Sequence, residues 1–188
     1  MTTSTDPTTS FASMDASTQE DWAVIGGETI KNQSLVADRV LALLESLVTV
    51  VDGFAVDQLT HCLQTATRAE RGGADDELVV ASLCHDIGKV VGVPNHPKVA
   101  AEILRPYVRP EVTATIAAHQ DFQGRHYYHH FGMDPNMRER YRGEPWYELA
   151  EQFADEFDQN SFDPDYPTES LAHFEPKVRS IFGNPHYL

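Results

Sequence analysis

The chain has 188 residues, enough for one domain with a sizeable core. Its formal charge of −15 argues against a nucleic-acid partner, whose phosphates it would repel. No apolar run approaches the ~20 residues of a membrane span, the start lacks the basic flank and apolar core of a signal peptide, and Cys62 and Cys84 form no CxxC pair, so a cytoplasmic protein with no membrane partner is expected.

Residues 1–18 are rich in Ser and Thr and poor in apolar residues, and are expected to be a mobile tail. The pattern predicts a short amphipathic helix from Asp21 to about Lys31. A stronger one follows from Leu35 to Val51, carrying Val36, Val40, Leu41, Leu44 and Leu47. Residues 19–51 are thus read as accessory helices, packed outside the core or forming a lid.

Asp52-Gly53 breaks the chain. The next helix, from about Ala55 to Ala69, places Leu59, Cys62, Ala66 and Ala69 at helical spacing. His61 lies on a neighbouring polar stripe with Asp57, Gln58, Thr65 and Arg68, so it is expected to face solvent or a wet pocket. Gly72-Gly73 marks a turn, and Asp75 or Asp76 can serve as N-cap of the helix after it.

In that helix, Leu78 to Ile87 is almost entirely apolar or small, so it reads as buried and ended by Gly88. Near its C-terminal end stand His85 and Asp86. A buried carboxylate is costly unless it is paired or binds a metal. Lys89 comes next, where a lysine can also serve the helix dipole.

Asn95-His96-Pro97 starts a helix to about Leu104, with proline in the first turn. Arg109-Pro110 opens another, in which Val112, Ile116 and His119 share one inward face. Gln120 to Arg142 is polar and aromatic, and is expected to be a loop with short helical turns. Glu144-Pro145 begins a helix with Trp146, Leu149, Phe153 and Phe157 inward. Asp158 extends the line of Ala150 and Ala154 and points inward, whereas Asp155 continues the polar line of Glu148, Glu151 and Gln152 toward water. After Pro164 one or two helices are expected, with Leu171, Phe174, Val178 and Ile181 as contacts. The chain shows no strand alternation, internal repeat or nucleotide-binding glycine loop, and the reading is all-α.

The inward polar residues are His61, His85, Asp86, His96, His119 and Asp158. Four imidazoles and two carboxylates suit iron, manganese, zinc or nickel rather than calcium. Six ligands exceed the need of one tetrahedral site, and two metals sharing Asp86 would use them. His126, His129, His130, His173 and His186 are given an ordinary surface or core role. Cys62 and Cys84 are read as small buried hydrophobes.

The order His61, His85-Asp86, Asp158, each in helical context, resembles the HD-domain superfamily, an all-α metal-binding helical bundle, over about residues 55–182. His96 and His119 resemble the added ligands of its two-metal branches. QLTHCLQTATRAERGGADDELVVASLCHDIGK and NHPKVAAEIL are similar to the core of the bacterial hydroxyphosphonate oxygenases, and HDIGK and FADEFDQNSF to myo-inositol oxygenase. The resemblance implies a mixed-valence di-iron oxygenase that uses O2 to oxidise or cleave a small hydroxylated or phosphonate substrate. His61, His85 and Asp158 would hold one iron, His96 and His119 the other, with Asp86 as bridge. Lys89 would act on a substrate oxygen, with Gln58, Arg125 and Tyr128 as further substrate contacts. The tyrosine and glutamate that cover the iron and the substrate amine in hydroxyphosphonate oxygenases have no counterpart near Val51 and Phe54. An aminophosphonate is therefore not implied. Two rivals stand beside this reading: a phosphohydrolase using Mn(II) or another divalent metal at the same ligands, and a non-catalytic binding module.

Overall fold

The computed structural model describes residues 7–183 and 185–187, so the first six residues of the expected tail lie outside the described residues. Within the rest of that tail, Met14–Ala16 form a short 3₁₀ turn and Thr18 caps the first helix through a capping box with Asp21. Eight α-helices follow among the described residues: α1 (Gln19–Ser34), α2 (Val36–Ser46), α3 (Gln58–Arg71), α4 (Asp76–Cys84), α5 (His96–Leu104), α6 (Pro110–Tyr127), α7 (Tyr147–Gln152) and α8 (Leu171–Phe182). No strand occurs among them, as the all-α reading required.

The core forms around α4, because every residue from Leu78 to Cys84 is buried. A helix apolar on all sides must be surrounded, and α3, α5, α6 and α8 pack against it. Asp75 starts α4 by accepting the Leu78 N–H at 3.0 Å. Before it, the turn after α3 passes through Gly73, whose φ of +81 lets the chain reverse without strain. Both cysteines are free and buried, and burial pushes their thiols up, so neither supplies a thiolate.

Three boundaries differ from the sequence-based expectation. First, α4 stops at Cys84, one residue before His85. Asp86 sits at φ −102, ψ 5, in the sparsely used region between helix and strand, and Ile87–Val90 turn as 3₁₀. Gly88 therefore does not end the helix. It allows the chain to pass against the start of α5, since a Cβ there would lie 2.7 Å from His96 Cα. Second, α6 runs on to Tyr127, well into the stretch expected to be a loop. Third, Phe153–Asp158 form a π-helical turn after α7, closed by the Gln159 N–H to Ala154 O bond (3.1 Å). Such single turns recur at functional sites. This one turns both Phe153 and Phe157 and both Ala154 and Asp158 inward.

The accessory region divides in two. α2 is a packing element: Val40 and Leu44, with Leu47 just after it, join the main core, and α2 lies against α8. α1 packs on α2 and buries no residue. The residues near this region that reach the site are Asp52 and Phe54, beyond both helices.

Candidate metal centre

Four elements and one turn deliver the six predicted ligands. α3 carries His61 and α5 begins at His96. α6 carries His119, and the π-helical turn carries Asp158. His85-Asp86 follow the end of α4. All six are buried, none more than 6 % exposed. His61 is thus not at the surface: the polar stripe Gln58–His61–Thr65 faces inward, toward the other ligands.

Each histidine is fixed through Nδ1. His61 Nδ1–H donates to Ser161 O (2.9 Å), His85 to Ser82 O (2.8 Å), His96 to Val93 O (2.7 Å) and His119 to Ile116 O (2.8 Å). A carbonyl only accepts, so a proton lies on Nδ1, and whenever the ring is neutral Nε2 aims a bare lone pair inward. Yet the Nε2 atoms of His61 and His85 are 3.1 Å apart, and those of His96 and His119 are 3.3 Å apart. Two lone pairs that close repel unless a cation lies between them.

The carboxylates complete two sets. Asp158 Oδ1 stands 3.1 Å from His61 Nε2 and 3.4 Å from His85 Nε2, and Asp86 Oδ2 is 3.6 Å from both. Asp86 Oδ1 faces the other way, 3.1 Å from His96 Nε2 and 3.5 Å from His119 Nε2. Ligands about 2.1 Å from a cation stand about 3.0–3.4 Å apart at octahedral or tetrahedral angles. The donors here are spaced close to that, with Asp86 slightly wider at 3.5–3.6 Å from three of the rings. Asp86 Oδ1 and Asp158 Oδ2 are buried with no hydrogen-bond partner, which is costly without a cation. The residues fit two metal ions, one on each side of Asp86.

The titration behaviour points the same way. Burial opposes a charge on His85, but Asp86 and Asp158 outweigh it and hold the imidazole protonated well above the usual histidine range. Burial likewise opposes ionisation of Asp86 and Asp158. The nearby histidines prevail, and both carboxyls stay well below their ordinary range. For His119, burial wins and pushes its titration down. The two carboxylates draw a balancing proton onto His85, and a bound metal would supply that positive charge in its place.

The cluster opens into a cavity of about 540 Å³, lined by His61, Asp86, Lys89 and His96 on the ligand side, and by Phe54, Phe162, Tyr127 and Phe131 among others. Lys89 Nζ is 2.8 Å from Asp86 Oδ2 and donates to Gln58 Oε1 at 3.0 Å. Burial works against its charge, but Asp86 outweighs that and raises the ammonium's titration. Phe162 lies flat on the His61 ring (4.3 Å) and Phe54 on Phe162 (4.7 Å), a stack that walls off one side.

The HD domain family matches residues 59–160, more than half of the chain. The chain belongs to the HD domain family. Its members are mostly metal-dependent enzymes, and the match spans all six buried histidines and aspartates of the cluster, which could hold a metal. No curated protein is matched by the chain.

Three of the expected substrate contacts sit elsewhere in this HD domain. Gln58 is fully buried and holds Lys89 rather than lining the cavity. Arg125 is exposed and is not among the lining residues. Tyr128 is buried with its ring against Gly124, and it too is absent from the lining. Conversely, His126, Gln123, Phe54 and Phe162 line the cavity, although no site role was expected of them. Gln123 donates to Asp158 Oδ1 at 3.0 Å. The signal for Gln123 and His126 was helical spacing from His119, hidden because α6 was expected to end sooner. Asp155, expected to point to water, is half-buried, and Arg138 Nη1 contacts both of its oxygens.

Proposed function

We propose that this HD domain is a di-iron oxygenase acting on a small hydroxylated substrate with at most one acidic group such as a phosphonate. The observation that carries the reading is the division of Asp86 between two histidine pairs, beside a mostly apolar cavity in which Lys89 is the only lysine or arginine among the described lining residues. Histidine-rich nitrogen and oxygen sets suit iron better than magnesium. A cavity with one lysine, an acidic Asp52 and a chain charge of −15 is a poor host for a nucleotide or another polyanion. Apolar walls admit dioxygen and limit water.

His61, His85 and Asp158 would hold one iron and His96 and His119 the other, with Asp86 between them. When bound, the iron pair would supply electrons to dioxygen and positive charge beside a substrate hydroxyl. The protein's own part is orientation and exclusion of water. Nδ1–H bonds to carbonyls fix the four rings. Lys89 is a cation at the cavity wall, held between Asp86 and Gln58, where it would meet a substrate oxygen. The Phe54–Phe162 stack covers the His61 side.

The test is turnover of small hydroxy compounds by iron-loaded protein in air and under argon, with EPR of the partly oxidised protein. The expected result is oxygen-dependent turnover and a coupled Fe(II)/Fe(III) signal. Phosphate-ester hydrolysis under argon with Mn(II), with no coupled signal, would overturn the proposal in favour of a phosphohydrolase.

A further inference from the structure

Phe54, Val93 and Phe131 line the cavity beside the metal centre and yet stay open to solvent, at 47 %, 50 % and 73 % exposure. They form an apolar mouth. Both rings are presented by turns. Phe54 follows Asp52 and Gly53, at φ +51 and +80, and Phe131 precedes Gly132, at φ +68. Asp52 is the one non-glycine residue with positive φ among the described residues, a conformation that persists where its surroundings hold it. Each ring is also braced from one side. Phe54 stacks on Phe162 at 4.7 Å, and Phe131 meets the Tyr127 ring edge-on at 6.3 Å.

The polar side chains of the wall are already tied to protein groups. Gln123 donates to Asp158 Oδ1 at 3.0 Å, His126 Nε2 lies 2.9 Å from Asp155 Oδ1, and Gln159 donates to Asp155 O at 3.1 Å. What the mouth leaves uncovered is therefore apolar surface, and exposed apolar surface at the rim of a cavity marks a binding site. The volume of about 540 Å³ lies among pockets that enclose drug-sized molecules, roughly 300–1,000 Å³. A compound of two or three carbons would leave most of it empty. Polarity is also divided by position. Lys89, Asp86, His61 and His96 stand on the ligand side, and the Phe54 ring begins 5.9 Å from Lys89 Nζ. Apolar wall thus starts a few atoms beyond any group that Lys89 holds.

We propose that the substrate is amphiphilic: a hydroxylated or singly acidic head at the metal cluster and Lys89, and an unbranched apolar chain of several carbons lying along Phe54, Val93 and Phe131 to the mouth. This rests on the reading of the cluster as a metal site for a hydroxylated head, and it assigns the rest of the molecule. The cavity walls and the exposed mouth are one continuous apolar surface, so the occupant assigned to the mouth is the end of the same substrate.

The test is calorimetric titration of the full chain loaded with manganese, which reads binding apart from oxygen-dependent turnover. The probes are α-hydroxybutanoate, α-hydroxyhexanoate and α-hydroxyoctanoate, which share one hydroxyl and one carboxylate and differ in chain length. Affinity is expected to rise about fourfold for each methylene that the wall covers. Phe131→Ser should weaken α-hydroxyoctanoate about tenfold and leave α-hydroxybutanoate within twofold, with manganese content unchanged. Because Phe131 is mostly exposed, the fold does not depend on its ring. Equal affinity along the series would overturn the apolar chain and leave the head reading standing. An unchanged slope in Phe131→Ser would overturn the path to the mouth. A slope that persists without manganese would uphold the apolar wall and overturn the placement of the head. No binding of any probe with manganese present would overturn both. If sedimentation instead shows a dimer that Phe131→Ser dissociates, with affinity flat along the series, the mouth is a contact between copies and the substrate assignment is wrong.

Discussion

Gly88→Ala tests whether the turn after Asp86 sets the position of the second ligand set. A Cβ at Gly88 would lie 2.7 Å from His96 Cα and 2.9 Å from His96 C, and closer still to His96 O. Carbon atoms pack at about 3.5–4.0 Å, so the start of α5 must retreat by about 1 Å. The obstacle is backbone, which cannot swing aside as a side chain can. His96 Nε2 is only 3.1 Å from Asp86 Oδ1 and 3.3 Å from His119 Nε2. Metal sites tolerate about 0.2 Å in ligand distance, so a shift of this size removes His96 from the set. Overpacking of this kind costs about 1–3 kcal/mol, which for a chain of this length lowers Tm by about 2–12 °C. Metal analysis should show the bound metal falling by about half, with His61, His85 and Asp158 retaining theirs. Gly92→Ala is the control, because a Cβ there meets nothing within 4 Å. If Gly88→Ala keeps two metal equivalents and the wild-type Tm, the reasoning about this close approach is wrong.

Two further outcomes are expected. Asp86→Ala removes an oxygen from each set, so metal content should fall below one equivalent and added metal should no longer raise Tm; two equivalents retained would exclude the shared-carboxylate arrangement. Asp75→Ala should lower Tm by about 2–4 °C at neutral pH, from loss of a cap that contributes about 1 kcal/mol. Partial burial opposes ionisation of Asp75, but bonds from Arg109 and the Leu78 N–H outweigh it and hold its carboxyl below the usual range. A depressed carboxylate stabilises the fold above its unfolded pKa of about 3.9 and loses that contribution as pH falls through the folded value. The Tm gap between wild type and Asp75→Ala should therefore narrow below about pH 4, as thermal unfolding across an acid series would show. A gap that is constant into strong acid would count against the assignment.

The buried cluster of four histidines and two aspartates was legible because burial and polarity conflict in the sequence. His85-Asp86 ends an apolar run, and His119 falls on the stripe of Val112 and Ile116, so periodicity alone turned them inward. Asp158 was separable from Asp155 by the line of Ala150 and Ala154, and it is the buried one. His61 was ambiguous, since a polar stripe faces water in most helices; here it faces a polar interior. The substrate wall was far less legible. Whether Tyr127 or Tyr128 meets the cavity depends on where α6 ends, and aromatic and polar residues do not mark that point. The role of Gly88 lay outside local pattern altogether, because the atoms it must clear belong to another helix.

The histidine anchors differ in how much of the chain they depend on. His85, His96 and His119 each bond a carbonyl three residues earlier, so their rings are aimed by the turn that carries them. His61 instead bonds Ser161 O, one hundred residues away. The pair His96 and His119 needs only neighbouring stretches of chain to point correctly. The site of His61 is complete only once the segment bearing Asp158 and Ser161 has docked on α3. That docking brings a ligand and the anchor of another ligand in one event. The half of the centre built from α5 and α6 therefore draws its ring anchors from nearby chain, whereas the other half depends on contacts across a hundred residues.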